Sequence, residues 1–398
     1  MRVLLFTGKG GVGKTTTAAA TAVHAAARGS KTLVVSTDPA HSLGDAFGDV
    51  LGPEPTELDT GLYALQVDAQ REFEASWRDV QAYLRGMLEQ AGVDPLEAEE
   101  LTVLPGADEV LALLALRAQV ADGRWDVIVV DCAPTGETLR LLALPDAMRW
   151  WMHRIFPADR RVLRTLRPVV SQLTGLPLPP DGVLAALERL TDELSAVREV
   201  LTDPATTSVR LVLTPESVVV AETRRTLTSL SLYGYRVDGV VANRIFPSSG
   251  DGADAWRSGW VDAQRRQLAE IDASFPGLPA WRVDYASAEP VGLDALAALG
   301  SAMYADRDPL ALVVTPEPVT LERVGAEEFV LSVALPHAVR RDVELGRRGD
   351  DLLVTVGSHR RALALPSALR RCEVAGAGLD GGRLQVRFQA AAQLGAQR

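Results

Sequence analysis

Lysine is almost missing from this chain. Of its 41 lysine and arginine residues, only Lys9, Lys14 and Lys31 are lysine. Cysteine is scarcer still, at Cys132 and Cys372. Two thiols so far apart in sequence make no disulfide framework, and they suit a reducing cytoplasm. Long hydrophobic runs are absent too. No stretch of about 18 apolar residues occurs, so no segment is expected to span a membrane. Met1 and Arg2 lead straight into the strand-like VLLFT, and no targeting signal is expected. Positive charge is lacking as well, the formal net charge being -11. That argues against a free-standing DNA binder and a basic membrane-surface protein, so no nucleic-acid partner is expected. What remains is ordinary for a globular protein. At 398 residues and 47% hydrophobic content, the chain can form two or three domains around a large core.

Against this arginine-rich background, two of the three lysines fall in FTGKGGVGKTTT, residues 6–17. Lysine is a compact point charge and arginine a broad planar fork, so the loop is read as needing the compact shape twice. Gly8 to Thr15 fits G-x-x-x-x-G-K-[ST] in the right context. The apolar run RVLLFT precedes it, and the helical run TTTAAATAVHAAARG follows, stopping at Gly29. The glycines let backbone N–H groups turn inward around phosphates, and the helix N-terminus adds its positive end. Gly8, Gly10, Gly11, Val12, Gly13, Lys14, Thr15 and Thr16 are therefore candidate ATP-binding residues. Lys14 is expected on the β/γ-phosphates, and the Thr15 hydroxyl on Mg²⁺.

GKGGVGKT resembles the deviant phosphate loop of a class of dimeric ATPases. That class includes the arsenite-pump ATPase, the tail-anchored-protein targeting ATPase, the partitioning and septum-site ATPases and nitrogenase iron protein. The resemblance implies that Lys9 reaches across a homodimer to the partner's nucleotide. A second cation there stabilises transition-state charge, as an arginine finger does.

Two further motifs narrow the class. STDPAHSLGDAF follows the buried strand at 31–37 and resembles switch I of the arsenite-pump and tail-anchored-targeting family. The resemblance implies that Asp38 positions the attacking water or approaches Mg²⁺. Asp45 matches a second acidic position, or is a helix-surface charge, and His41 is read as a structural part of the loop. WDVIVVDCAPTGETLRLLALP, residues 125–145, reads as a buried parallel strand ending at Asp131. Such an aspartate is the usual Mg²⁺-side carboxylate of phosphate-loop ATPases. DCAPTGETLRLL resembles switch II of the same family, with Cys132 where threonine is normal. Gly136 can bring its amide close to a γ-phosphate. On the adenine side, VDGVVANRIFP ends in Asn243, which resembles the family's base-contacting asparagine; Arg244 follows where lysine is common. EPVGLDALAALG resembles the loop that closes over the base, or is a plain strand-helix turn.

Helical insertions are expected at about 68–120 and 146–203. In the first, Phe73, Trp77, Val80, Leu84, Met87 and Leu88 recur at helical spacing. Beside switch II lies the apolar cluster Trp150, Trp151, Met152, Ile155 and Phe156. These stripes read either as ordinary bundle core or, by resemblance to the targeting ATPase, as a groove for a hydrophobic client helix. A proline-spaced linker is expected at 304–325, after an ATPase domain at 1–303. Short strands at 326–390 then read as an antiparallel sandwich that resembles the α-crystallin domain of small heat-shock proteins. It is either a client-binding or dimer-supporting module, or a passive one.

Departures from the wider class are informative. Two cysteines cannot give a three-thiolate metalloid site within one chain, and Glu137 stands where the arsenite pump has its switch II histidine. No Cys-x-x-Cys exists for zinc, and the cysteines do not suit an iron–sulfur cluster. The expected fold is α/β, a doubly wound, mostly parallel sheet of the deviant P-loop type with helical insertions and a C-terminal β-sandwich. The expected function is a cytoplasmic, homodimeric ATPase using ATP and Mg²⁺ to handle a hydrophobic client, with Lys9, Lys14 and Asp38 catalytic and Thr15, Asp38 and Asp131 on the metal side. The alternatives are the energising ATPase of an anion or metalloid pump, and a chaperone in which ATP only switches the dimer.

Overall fold

The computed structural model describes residues 1–38, 42–67, 107–133, 135–136, 181–248, 254–313, 315–325 and 327–390, with 85, 86 and 94 besides. His41, Glu137, the stripe from Phe73 to Leu84 with Met87 and Leu88, and the cluster from Trp150 to Phe156 lie outside the described residues. The chain divides into two compact units. One comprises Met1–Gln66, Gly123–Leu139 and Leu201–Arg398; the other comprises Val67–Asp122 and Arg140–Val200.

The first unit is built on an eight-stranded sheet. Its strands are β1 (Arg2–Thr7), β2 (Thr32–Ser36), β3 (Thr56–Asp59), β4 (Leu62–Gln66), β5 (Val127–Asp131), β6 (Thr207–Leu213), β7 (Val237–Ile245) and β8 (Ala280–Asp284). Their order across the sheet is β3-β4-β2-β5-β1-β6-β7-β8. All pairings are parallel except β3 with β4. Parallel strands covered on both faces read as unbroken apolar runs, and VIVV and VLLF are buried end to end. The sheet extends from central β1 to both sides, through β5 to β2 and β4 and through β6 to β7 and β8, the chain itself crossing from β1 to β2 and later from β5 to β6. The crevice beyond the C-terminal end of β1 is therefore a switch point, where α/β sheets take their ligands.

The helices that accompany this sheet are α1 (Lys14–Ala27), α2 (Ser42–Phe47), α5 (Ser217–Tyr233), α6 (Ala255–Ser274) and α7 (Leu293–Tyr304), after α3 and α4 of the other unit, given below. Alanine lets α1 lie close to its neighbours: Ala18, Ala19, Ala20 and Ala22 are fully buried. At its closest approach to α7, a Cβ on Gly300 would stand 2.6 Å from the Ala20 carbonyl oxygen, so only glycine fits. A buried polar network ties the same region together. Arg210 Nη2 donates to Asp238 Oδ2 at 2.8 Å, and Arg210 Nη1 to the Tyr304 hydroxyl at 2.8 Å. Tyr304 in turn hydrogen-bonds Thr21 of α1 at 2.7 Å. Burial opposes the Arg210 charge, and Asp238 more than offsets that, raising its pKa.

The C-terminal strands form two antiparallel sheets. One runs β14 (Cys372–Asp380), β15 (Arg383–Ala390), β10 (Glu328–Ala334), β9 (Val319–Arg323). The other runs β11 (Val343–Arg348), β12 (Asp351–Val356), β13 (His359–Ala364). Leu331, Val333, Leu352, Val354, Val386 and Phe388 share one core with Leu232 of α5. The sandwich is therefore seated on α5. The buried Arg361 guanidinium donates to the Leu232 carbonyl, a cation at the helix's negative end. β9 falls inside the stretch expected as linker. Its prolines read as spacing, yet VTLER pairs with β10 and extends the sheet.

In the other unit, α3 (Ala107–Asp122) and α4 (Asp181–Thr202) are described. Leu111, Leu113 and Leu116 of α3 and Leu194 and Val197 of α4 are buried, and Arg117 pairs with Glu193. Among the described residues no helix is long and apolar enough to cross a membrane.

Candidate functional site

The loop between β1 and α1 lies at the switch point. Its shape depends on glycine at two close approaches. A Cβ on Gly8 would stand 2.1 Å from the Val212 carbonyl oxygen. Gly13 has φ +93°, and a Cβ there would meet the Asn243 amide at 2.2 Å. Gly10 and Gly11 are exposed at the loop's tip, Val12 is buried beneath it, and Thr16 follows on the first turn of α1. Lys14 is buried, and its Nζ donates to the Lys9 carbonyl at 3.5 Å, curling over the loop's own concavity. That is where a β/γ-phosphate would be held.

The carboxylates approach from neighbouring strand ends. Asp131, the last residue of β5, is fully buried, and neither side-chain oxygen has a well-formed hydrogen bond. Burial pushes its pKa up to about 7, against the pull of the Thr15 hydroxyl and the Lys14 charge; Asp38 adds to the rise. A buried carboxylate without a well-formed hydrogen bond, beside a lysine and a hydroxyl, has the chemistry of a divalent-cation site next to a phosphate, so the residues present fit Mg²⁺. Asp38 sits just past β2. Its backbone N–H donates to Ser36 Oγ at 3.2 Å, and its carbonyl accepts from Gln66 Nε2 at 3.1 Å. Asp45 is exposed on α2, as a helix-surface charge would be. The Thr15 and Ser42 hydroxyls stand 3.1 Å apart. The backbone N–H of Thr135 reaches the Gly8 carbonyl at 3.2 Å, tying the start of switch II to the phosphate loop. Gly136, next to it, is exposed with open space where a Cβ would point. Cys132 is buried beside Asp131, and burial, then the Asp131 charge, push its thiol pKa far up.

A cavity of about 320 Å³ opens beside Gly13 and Thr16 and runs between Asn243, Asp284, Tyr285 and Pro290. Asn243 does more than line it: its Nδ2 donates to the Val12 carbonyl at 2.8 Å, pinning the phosphate loop to β7. Arg244 follows with φ +59°, a left-handed turn held by Gln264, whose side chain donates to the Arg244 carbonyl at 3.1 Å and accepts from Phe246 N at 2.7 Å. The Tyr285 and Phe246 rings stack at 5.6 Å and 6°. Asp284 to Pro290 line this cavity; of the stretch EPVGLDALAALG, Glu289, Pro290 and Leu299 reach it.

Lys9 is half-exposed, and its Nζ lies 4.0 Å from Glu222 Oε2 of α5. Sequence reasoning missed Glu222, Ser42 and Gln66. Ser42 lay within the switch I motif and carried a usable signal. Glu222 carried none, because nothing local in SVVVAETRRTL marks a partner for residue 9.

The sheet order, the glycine loop at its switch point and the strand-end aspartate define a P-loop nucleoside-triphosphate-binding protein. Residues 1–305 match the model of a family described as anion-transporting ATPase, and residues 326–388 match an HSP20-like domain found in ArsA. The chain belongs to this anion-transporting ATPase family. It is 36% identical over 376 residues to a Chlorobaculum tepidum protein described as a candidate arsenical pump-driving ATPase, covering 94% of this chain and 92% of that one. It is 41% identical over 391 residues to an uncharacterized Streptomyces coelicolor protein, covering 98% and 97%. It is 30% identical over 280 residues to the ATPase get3 of Aspergillus terreus, covering 69% and 82%.

Proposed function

We propose that the protein is a cytoplasmic, Mg²⁺-dependent ATPase that works as a homodimer and uses its cycle to handle a hydrophobic client. The observation that carries the ATPase reading is Asp131: a fully buried carboxylate without a well-formed hydrogen bond, at the switch point, beside Lys14 and Thr15. Mg²⁺ would supply charge neutralisation between the phosphates and these carboxylates. Thr15 and Asp131 would hold it, directly or through water. Lys14 and the loop amides bind and orient the phosphates. Asp38, at the rim of β2, orients the attacking water. Lys9, half-exposed beside its own loop, completes the partner's site.

Client handling is supported by the kinship to the get3 ATPase and by thiol chemistry. Cys132 and Cys372 are both buried, and Cys132 is held as a neutral thiol, which does not suit capture of a soft metalloid. The second reading, an ATPase that drives an arsenical pump, is favoured by relatives of that description which match nearly the whole chain. ATP turnover measured alone, with antimonite, and with a solubilised transmembrane-helix peptide separates the two. Stimulation by the peptide alone, lost in Lys9→Ala, is expected. Stimulation by antimonite alone would overturn client handling in favour of the pump.

A further inference from the structure

We propose that Ser42 is a second protein ligand of the Mg²⁺ that accompanies the nucleotide, so that the metal clamps switch I to the phosphate loop. This rests on the ATPase reading above. Thr15 lies in the first turn of α1 and Ser42 opens α2, yet their hydroxyl oxygens meet at 3.1 Å. Two adjacent ligands on an octahedral Mg²⁺, each at about 2.1 Å, stand about 3.0 Å apart. The two hydroxyls are thus already spaced to share one cation without moving. A hydroxyl pair alone would be an ordinary hydrogen bond. The independent observation is Asp131, whose fully buried carboxylate has no well-formed hydrogen bond and faces the Thr15 hydroxyl. The hydroxyl pair and the buried carboxylate converge on Thr15, the residue whose type and place in the loop assign it to Mg²⁺.

The arrangement gives Ser42 a consequence beyond affinity. α2 is anchored by the buried Leu43 and Phe47. At its far end the Ala46 carbonyl accepts from Gly292 N at 2.9 Å, two residues past the segment that lines the cavity beside the phosphate loop. Metal at one end of α2 and base at the other would therefore grip the same short helix. Losing a metal ligand when phosphate leaves would free switch I, as in other nucleotide switches.

The test is metal binding, not turnover. Mn²⁺ is titrated by electron paramagnetic resonance into the full-length protein with a non-hydrolysable ATP analogue, for wild type, Ser42→Ala and Ser42→Cys. Thermal unfolding without nucleotide checks that each variant is folded. Ser42→Ala is expected to weaken Mn²⁺ by at least about tenfold, since even the groups that only orient a metal's ligands are worth that much in affinity. Ser42→Cys is expected to change metal preference: nucleotide affinity falls with Mg²⁺ and recovers with Cd²⁺, because a thiolate selects the softer ion. The wild type, with the same native cysteines, serves as the Cd²⁺ control. A merely structural serine would not produce that crossover. Wild-type Mn²⁺ affinity in Ser42→Ala, or equal losses with Mg²⁺ and Cd²⁺ in Ser42→Cys, would overturn the inference while leaving the ATPase reading intact. Failure of the wild type to bind Mn²⁺ with the analogue would overturn both.

Discussion

Lys9 Nζ stands 4.0 Å from Glu222 Oε2 of its own chain, both side chains partly exposed. An ion pair of that length and exposure contributes at most about 1 kcal/mol. Glu222 therefore holds Lys9 only loosely, and a nearby triphosphate could outcompete it.

The first prediction follows. Lys9→Ala lowers ATP turnover by roughly a thousandfold, the scale of a missing trans cation, with little change in melting temperature. Lys14→Ala is equally inactive. Mixing the two inactive variants is expected to recover activity, because one site of each mixed dimer has its own Lys14 and the partner's Lys9. Persistent inactivity of the mixture, with mixed dimers shown to form, would rule out action in trans.

Asp131 carries a prediction of opposite signs for activity and stability. Its folded pKa, about 7, lies above the ordinary 3.8, so the metal-free folded protein keeps a proton that the unfolded chain releases. The destabilisation grows as pH rises from 3.8 towards 7 and is complete above that. Asp131→Asn is expected to stabilise the nucleotide-free protein at pH 8 by on the order of 2–4 kcal/mol, and by much less at pH 4.5. The same variant loses Mg²⁺-dependent turnover. Denaturant unfolding at the two pH values checks it; equal effects at both would refute the assignment.

His24 works the other way. Burial, then Arg28, lower its pKa below the ordinary 6.5, and Nε2 has no hydrogen-bond partner. The unfolded chain then binds protons that the folded one refuses, so this contribution is lost as pH falls below 6.5. His24→Gln is expected to flatten the decline in melting temperature between pH 7 and 5.5. A parallel decline in wild type and variant would sink the idea.

Asp238 shows how much the buried network matters. Arg210 and Asp238 are both about 1% exposed and bonded at 2.8 Å. Asp238→Ala would leave the guanidinium buried and uncompensated, at a cost of about 3–5 kcal/mol. Replacing Arg210 and Asp238 together is expected to be milder than the sum of the single changes. Additive losses in a double-mutant cycle would refute the pairing.

Much of the fold was legible because its signals are local. RVLLFT before a glycine loop, and VIVV ending in Asp131, are patterns that parallel strands and phosphate loops impose on neighbouring residues. The linker reading gave way at β9, where VTLER has a weak local pattern and becomes a strand only by pairing with β10. Asn243 was legible as a site residue by resemblance, but its bond to the Val12 carbonyl spans 231 positions and has no trace in the sequence.

The sequence by itself determined the sheet class, the phosphate loop, the strand-end aspartate and the kinship of the two domains. All of these depend on residue type at short spacing. Only the tertiary structure decided that Ser42 meets Thr15, that Glu222 holds Lys9, and that Leu232 of α5 belongs to the core of the C-terminal sandwich. Each of these joins segments far apart in the chain, and such contacts are set by how sheet and helices pack, not by the residues beside them.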